Sequence, residues 1–395
     1  MKISIIGLGY IGLPTAVILA KNGHKVYGYD TNPSVVGSLN RGRLHIKEEG
    51  LQDYFTEAFS AGAFSAHSEL QTADVYIISV PTPFKDNSEK KLADLQYVLQ
   101  AAESVSHILK EGDLVILEST VPPSTTKNMT DLLQSGSGLP RDSFYTAHCP
   151  ERVLPGNILF ELEHNDRIIG AEREQSAVKA KELYESFVKS GSVYLTDDIT
   201  AEMCKLVENS FRDINIAFAN ELSVICSEIG IDVKELISLA NKHPRVNILS
   251  PGVGVGGHCI AVDPWFLAER FGQSAALITA ARNINDFKPY WVSEQIEQRI
   301  NADKGTVIGV LGLAYKPDID DFRESPSIKL AHILMQKGYS VISAEPNAAQ
   351  EYIEQIPVLP LEEVLDKAGF VVMTLRHKEF LERSDDIKKT DCMIL

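Results

Sequence analysis

Nucleophilic chemistry concentrates in one stretch, PGVGVGGHC at 251–259. Glycines at 252, 254, 256 and 257 exclude helix and regular strand there, and they let a backbone approach a ligand closely. Cys259 ends this loop and Asp263 follows four residues on. A thiolate is a nucleophile, and cations or a helix N-terminus favour it. The ordinary alternative is a cysteine acting as a small buried hydrophobe, so the surroundings must decide. The pairs His148-Cys149 and His258-Cys259 lack the C-x-x-C or H-x-x-x-H spacing of a four-ligand zinc site, and no metal is expected. Ser-His-Asp hydrolysis has no nucleophile-elbow sequence to support it.

A second chemistry lies at the N-terminus, where Gly7, Gly9 and Gly12 form G-x-G-x-x-G directly after an apolar run. The first glycine permits a tight turn, the second lets a pyrophosphate approach, and the third allows a helix to pack closely on a strand. The helix that follows directs N–H groups and the positive end of its dipole at the phosphates. Asp30 closes the next strand, 18 residues beyond Gly12, where an acidic side chain accepts ribose hydroxyls. Arg41 and Arg43 are the nearest cations after it, which favours NAD over NADP. Pro81, Thr82 and Thr120 belong to loops that each follow an apolar strand, where ligands of doubly wound sheets sit.

A third set sits on a helix. Val207, Phe211, Ile214, Phe218, Leu222 and Ile225 form one apolar stripe at helical spacing. Lys205, Asn209 and Arg212 share that spacing on another face, for which solvated surface is the ordinary reading. A second helix at 232–241 follows Gly230, a C-cap residue.

The chain has 395 residues and a formal net charge of −16, so a general affinity for nucleic acid or anionic membrane surfaces is not expected. No run of about 18 apolar residues occurs, so no membrane span is expected either. The five unpatterned cysteines fit a reduced, cytoplasmic protein. Apolar runs at 2–6, 25–29, 75–80, 114–117 and 143–147 predict strands, with helices or loops between them and a loop at 134–143. Runs at 306–312 and 339–344, around a helix at 327–336, predict a second strand–helix–strand unit. The expected fold is α/β: two Rossmann-like doubly wound domains (1–197 and 301–395) joined by a long central helix and a helical middle domain at 198–300.

At this point the chain resembles the four-electron nucleotide-sugar 6-dehydrogenases, the family of the UDP-glucose and GDP-mannose dehydrogenases. The carriers are IGLGYIGLP at 6–14, SVPTP at 79–83, ESTVPP at 118–123 and CPERVLPGN at 149–157. KLVEN at 205–209, GVGGHCIAVDPWF at 254–266 and GLAYKPDIDDFRESPS at 312–327 continue the match in order along nearly the whole chain. The GGHC segment, AVDPW after it and HPRVN at 243–247 resemble the branch acting on UDP-N-acetyl-D-mannosamine. The UDP-N-acetylglucosamine branch shares GGHC, and UDP-glucose enzymes more often carry serine before the cysteine. Two features depart from the pattern. Glu49 stands where many relatives have proline, and the chain stops at DCMIL, which implies a shortened C-terminal domain.

The resemblance implies that two NAD molecules each take one hydride from C6 of the sugar, with Cys259 holding the aldehyde stage as a thiohemiacetal and then a thioester. It implies Lys205 near the substrate, in proton transfer or at the developing oxyanion, Asn209 at that oxyanion, and Asp263 with Thr120 and Glu151 for the hydrolytic water. It implies NAD contacts from Gly7, Gly9, Tyr10, Ile11, Gly12, Asp30, Pro81, Thr82, Thr120 and Arg323. Sugar-nucleotide contacts are implied for Arg152, Val153, Lys205, Asn209, Arg212, His243, Arg245, Gly256 and Lys316. A UDP-N-acetylhexosamine is the implied substrate, and a homodimer through the central helix is implied as well. Two alternatives remain: a two-electron hydroxyacid-type dehydrogenase, which would not need Cys259, and a nucleotide-sugar binding protein that has lost catalysis.

Overall fold

A computed structural model describes residues 1–85, 91–154 and 156–395, so Pro155 of the CPERVLPGN segment lies outside the described residues. The chain forms two compact units, Met1–Val207 and Glu208–Leu395. The first holds eight strands: β1 (Lys2–Ile6), β2 (Lys25–Tyr29), β3 (Phe64–His67), β4 (Val75–Ile78), β5 (Leu114–Leu117), β6 (Tyr145–His148), β7 (Arg167–Gly170) and β8 (Val193–Thr196). They lie in the order β3-β2-β1-β4-β5-β6-β7-β8. The first six are the 3-2-1-4-5-6 arrangement of a dinucleotide-binding sheet, with its reversal of direction between β1 and β4.

Pairing is parallel from β3 to β6, and then β7 meets β6 antiparallel through His148 and Gly170. The segment between them holds one short helix, Ile158–His164, and turns the chain back instead of crossing the sheet. Helices cover both faces, so β4 and β5 are buried at every residue. Alternation divides their side chains between two cores: Val75, Ile77, Leu114 and Ile116 in one, Tyr76, Ile78, Val115 and Leu117 in the other.

The loop expected at 134–143 begins later than its composition suggests. Helix Thr125–Ser137 runs through Gln134, Ser135 and Gly136, and Gly138 at φ 71° ends it. A Cβ on Gly136 would lie 2.2 Å from Ser106 Oγ, so glycine is there for close packing against helix Gln96–Ser106. The serine hydroxyls at 135 and 137 bond back to helix carbonyls.

The long helix Asp198–Ile229 carries the boundary between the units. Gly230 at φ 75° follows its end, and Asp232 caps the next helix, Val233–Ala240. In the second unit, β9 (Val307–Leu311), β10 (Ser340–Ala344), β13 (Phe370–Met373) and β14 (Cys392–Ile394) make a parallel sheet in the order β10-β9-β13-β14. A small antiparallel pair, β11 (Tyr352–Ile353) and β12 (Ile356–Pro357), stands apart. Helix Pro326–Gln336, capped by Ser325, connects β9 to β10.

The second unit's helices meet through polar as well as apolar groups, with Val292 and Ile296 sharing a core with Ile328 and Ala331. Arg282, on helix Ala276–Arg299, pairs with Asp213 of the long helix at 2.6 Å, and both side chains are buried. Asn285 donates to Asp213 at 2.8 Å and accepts from Asn220 at 2.8 Å. Asn220 in turn accepts the Gly252 N–H at 2.9 Å, so this chain of bonds ends at the start of the glycine loop.

Candidate functional site

In the first unit, Gly7 turns the chain at φ 93° and donates to the Tyr29 carbonyl at 2.9 Å. A Cβ at Gly7 would lie 2.4 Å from the Ser79 carbonyl oxygen, and one at Gly12 would lie 1.9 Å from that of Gly7. Both glycines are therefore dictated by the protein's own packing. Gly9 differs: no atom lies within 4 Å of a Cβ built there, which leaves a cradle for a ligand. Helix Gly12–Lys21 starts here with no side-chain cap and no acidic residue in its first turn, so its positive end suits a phosphate. These residues fit a dinucleotide. Asp30 Oδ2 accepts the Leu8 N–H at 3.0 Å and Oδ1 accepts the Asn32 N–H at 2.8 Å. Each oxygen keeps a further lone pair for a ribose hydroxyl. Asp30 thus also pins the glycine turn to the end of β2.

The loops after β4 and β5 are tied together by Ser119. Its hydroxyl accepts the Val80 N–H at 2.9 Å and donates to the Val80 carbonyl at 2.7 Å. Thr82 donates to the Thr120 carbonyl at 2.8 Å. Pro81, Thr82 and Thr120 are thereby brought to one place, at the carboxyl ends of strands beside the glycine turn. Glu202 holds the next part of that loop, accepting the Ser124 and Thr126 N–H groups at 2.5 and 2.7 Å. Sequence pattern carries no signal for what Ser119 and Glu202 hold, because their partners, backbone groups and the Thr126 hydroxyl, are distant in the chain.

Glu151 and Arg152 follow β6. Glu151 is buried, accepts the Arg152 N–H at 2.5 Å and lies 3.7 Å from Arg167 Nη1. Arg167 lies over the Tyr184 ring at 4.7 Å, and Tyr184 donates to Glu118 at 2.7 Å. Burial, joined by the nearby Glu151 charge, pushes the Glu118 carboxyl up to about 7. Burial also pushes the Cys149 thiol up to about 12 and His148 down to about 3. Cys149 is accordingly the inert cysteine of the two His-Cys pairs. Arg152 extends to the Asp166 carbonyl at 3.1 Å, and Val153 packs on the core. Glu48, next to the departing Glu49, accepts the Gly156 and Ile158 N–H groups at 2.9 and 2.8 Å and so anchors the 149–157 segment.

In the second unit, the Asn209 amide donates to the Asp263 carboxylate at 2.5 Å, and both side chains are buried. Asp263 opens helix Asp263–Phe271, and its N–H donates to the Cys259 carbonyl at 2.8 Å. Cys259 is half-buried and stands at the N-terminal turn of that helix. The glycines before it serve a closer purpose than expected. A Cβ on Gly256 would lie 2.6 Å from the Glu324 carbonyl, and one on Gly257 would lie 2.8 Å from the Tyr315 ring. The close approach they permit is to the protein's own 315–324 segment. Arg323 in that segment is held by both oxygens of Asp321, at 2.9 and 2.6 Å, and Asp321 also lies 3.8 Å from His258. Lys316 is half-exposed on the same segment.

The long helix reverses the ordinary reading of its two faces. Asn209, Asp213 and Asn220 are buried, whereas Val207, Phe211, Phe218 and Ile225 are 50%, 65%, 47% and 45% exposed. Lys205 is half-buried one turn before Asn209, and Arg212 is exposed. Exposed His243 and Arg245 sit in a segment zipped by amides. Asn215 donates to the Asn247 carbonyl and accepts the Leu249 N–H, both at 2.9 Å. Asn241 makes the same two-way contact with Ile248. Among the described residues, no group of three or more His, Cys, Asp or Glu is placed to hold a metal, and no helix is long and apolar enough to cross a membrane.

Three family models match in sequence. The UDP-glucose/GDP-mannose dehydrogenase family NAD binding domain covers 1–188, its central domain 199–287 and its UDP binding domain 309–392. A relative in Ralstonia nicotianae, named NDP-N-acetyl-D-galactosaminuronic acid dehydrogenase, is 47% identical across 97% of this chain and 92% of its own. A UDP-N-acetyl-D-mannosamine dehydrogenase of Campylobacter jejuni is 46% identical across 98% of this chain and 97% of its own. The solved structure of the UDP-D-ManNAc dehydrogenase from Pyrococcus horikoshii matches with a TM-score of 0.92 and 39% identity, covering 100% of this chain and 95% of that one.

Asp30→Ala removes both the ribose acceptor and the clamp on the Leu8 N–H. NAD affinity, followed by fluorescence titration, is expected to fall roughly tenfold or more, with nucleotide-sugar affinity unchanged. An unaltered NAD affinity refutes the ribose assignment. Glu118 makes a pH test possible. Because its folded-state value is raised above the ordinary 4.5, its stabilising contribution is full below pH 4.5 and is lost as pH rises towards 7. Glu118→Gln, neutral throughout, should match wild type in urea midpoint near pH 4.5 and exceed it at pH 8. A midpoint difference that does not change with pH removes this account.

Proposed function

This chain belongs to the UDP-glucose/GDP-mannose dehydrogenase family, and from that premise we propose that it oxidises C6 of UDP-N-acetyl-D-mannosamine to the uronic acid. It is an NAD-dependent nucleotide-sugar dehydrogenase. The observation that carries the mechanism is the Asn209 amide bonded at 2.5 Å to Asp263, whose N–H bonds the carbonyl of Cys259. One short turn thus carries a thiol and a carboxylate, and the amide that orients the carboxylate comes from the long helix.

Two NAD molecules, bound in turn, would each accept one hydride, and the Gly7, Gly9, Tyr10, Ile11 and Gly12 turn with Asp30, Pro81, Thr82, Thr120 and Arg323 would hold each of them. The first oxidation takes a hydride from C6 and the hydroxyl proton, leaving an aldehyde. Cys259 then adds through sulfur to that carbon, and the aldehyde oxygen takes up a proton to give a thiohemiacetal. Loss of a second hydride and the hydroxyl proton leaves a thioester. Lys205 and Asn209 stabilise the oxyanion of each tetrahedral stage. Water held by Asp263, Thr120 and Glu151 attacks the thioester, the carbon–sulfur bond breaks, and the carboxylate leaves with the thiol restored. Arg152, Val153, Arg212, His243, Arg245, Gly256 and Lys316 bind the sugar nucleotide; the cations among them offset the global charge of −16.

We divide the chain functionally at 198 and 301, with the middle segment forming a homodimer. The exposed stripe of the long helix supports this, since a second copy of the same helix would cover it. Thiol chemistry of this kind suits the reducing cytoplasm. A second sugar reading has one observation in its favour: the 47% identical Ralstonia relative is named for N-acetyl-D-galactosaminuronic acid.

A panel of UDP-N-acetylmannosamine, UDP-N-acetylglucosamine, UDP-N-acetylgalactosamine and UDP-glucose, read by NADH release and product mass, separates these readings. Two NADH per uronic acid are expected from the mannosamine compound, and one per substrate sinks the four-electron mechanism. Cys259→Ser should bind both ligands yet lose overall turnover by roughly a thousandfold or more. Phe211→Glu should shift the protein from dimer to monomer in analytical ultracentrifugation; a dimer unmoved by that charge excludes this interface.

A further inference from the structure

The second unit repeats the glycine turn of the first with one change. Gly312 turns at φ 96° and donates to the Ala344 carbonyl at 2.9 Å, as Gly7 at φ 93° donates to Tyr29. An acidic residue again closes the second strand. Asp30 takes the Leu8 N–H, and Glu345 takes those of Leu313 and Ala314 at 2.7 and 3.0 Å. Asp30 is half-buried and keeps capacity for a ligand, whereas Glu345 is buried and meets His377 instead, with Nε2 3.3 Å from Oε2. Burial by itself raises the Glu345 carboxyl; His377 and the two N–H groups hold it below its ordinary value.

His377 is itself buried and works in two directions. Its Nδ1 accepts the Asp318 N–H at 3.0 Å, which places the ring proton on Nε2, towards Glu345. Asp318 is left-handed at φ 63°, and its carboxylate accepts the Lys378 N–H at 3.0 Å. Glu324, at φ 50°, is left-handed too. A segment with two such residues persists only where its surroundings over-determine it. Arg323 lies between them and Lys316 two residues before the first, and the segment presses on the glycine loop. The Arg323 carbonyl accepts the Gly257 N–H at 3.1 Å, and Tyr315 and Glu324 occupy the space that side chains at 257 and 256 would need. The Arg323 guanidinium, raised chiefly by its bonds to Asp321, also feels the charge of the Cys259 sulfur.

We propose that His377 is a positioning residue: braced by Glu345, it holds the Asp318 N–H and so fixes the 312–324 segment, which sets the placement of Lys316 and, through the glycine loop, of Cys259. This rests on the function proposed above, in which Cys259 is the nucleophile and Lys316 binds the sugar nucleotide. His377 touches neither substrate nor cofactor in that scheme and acts only through the segment.

The test compares three full-length variants. His377→Asn keeps an acceptor near the place of Nδ1, His377→Gln keeps a donor near that of Nε2, and His377→Phe keeps only the shape. Three quantities are measured: KM for the UDP-sugar, the rate of Cys259 alkylation by iodoacetamide from peptide mass mapping, and NAD affinity. Phe and Gln are expected to raise KM about tenfold, to change the alkylation rate severalfold and, through Arg323, to weaken NAD binding severalfold, with Asn restoring most of all three. Should His377→Phe fail to fold, the comparison of Asn with Gln still decides. Equal behaviour of Asn and Gln, or wild-type KM and alkylation in Phe, overturns the proposal. Full turnover by Cys259→Ser defeats the parent mechanism instead, and the two failures are thus told apart.

Discussion

Much of the second unit is organised around a single short hydrogen bond, from the Asn209 amide to the Asp263 carboxylate. Both side chains are buried, where an uncompensated carboxylate is costly and a hydrogen-bonded one is tolerated. The bond joins the long helix to the turn that carries Cys259. It fixes geometry as well as adding stability, because it links two elements distant in the chain beside the half-buried thiol. The network of Arg282, Asp213, Asn285 and Asn220 repeats this logic further along the same helix, ending on the Gly252 N–H. Polar bonds have directions that apolar contacts lack, so they fix an angular position as well as a distance.

The inward face of the long helix sets Asn209, Asp213 and Asn220 beside small apolar residues such as Ala217 and Ala219, and its outward face carries Phe211, Phe218 and Ile225. A monomeric surface helix normally shows the opposite arrangement. This inversion has two consequences. The buried side brings amides and carboxylates together, and the exposed apolar stripe supports the proposed pairing with another copy of the chain. Stability and chemistry thus draw on opposite sides of one element.

Two α/β sheets in this chain use the same turn for different ends. Gly7 and Gly312 have nearly equal φ and donate to equivalent carbonyls, and each sheet places a carboxylate at the end of its second strand. In the first sheet that carboxylate is half-buried beside the open space at Gly9. In the second it is buried against His377 and used internally. Exposure of one acidic group therefore separates a turn that receives a dinucleotide from one that stiffens a neighbouring segment.

Local signals determined a large part of this. The strand at 2–6, the glycine spacing and Asp30 are set by steric rules that act within a few residues, and they were legible without coordinates. The Ser325 and Asp232 caps are local in the same way. Tertiary structure alone decided which face of the long helix is inside, since the stripe of Phe211 and Phe218 reads identically whether a core or a second copy covers it. It alone decided that Gly256 and Gly257 make room for Glu324 and Tyr315, and that Gly136 belongs to a helix pressed on Ser106. The partners of Ser119, Glu202, Arg167 and His377 were invisible in the sequence for one physical reason: each meets groups from another part of the chain, and a one-dimensional pattern carries no record of which remote group a side chain will meet.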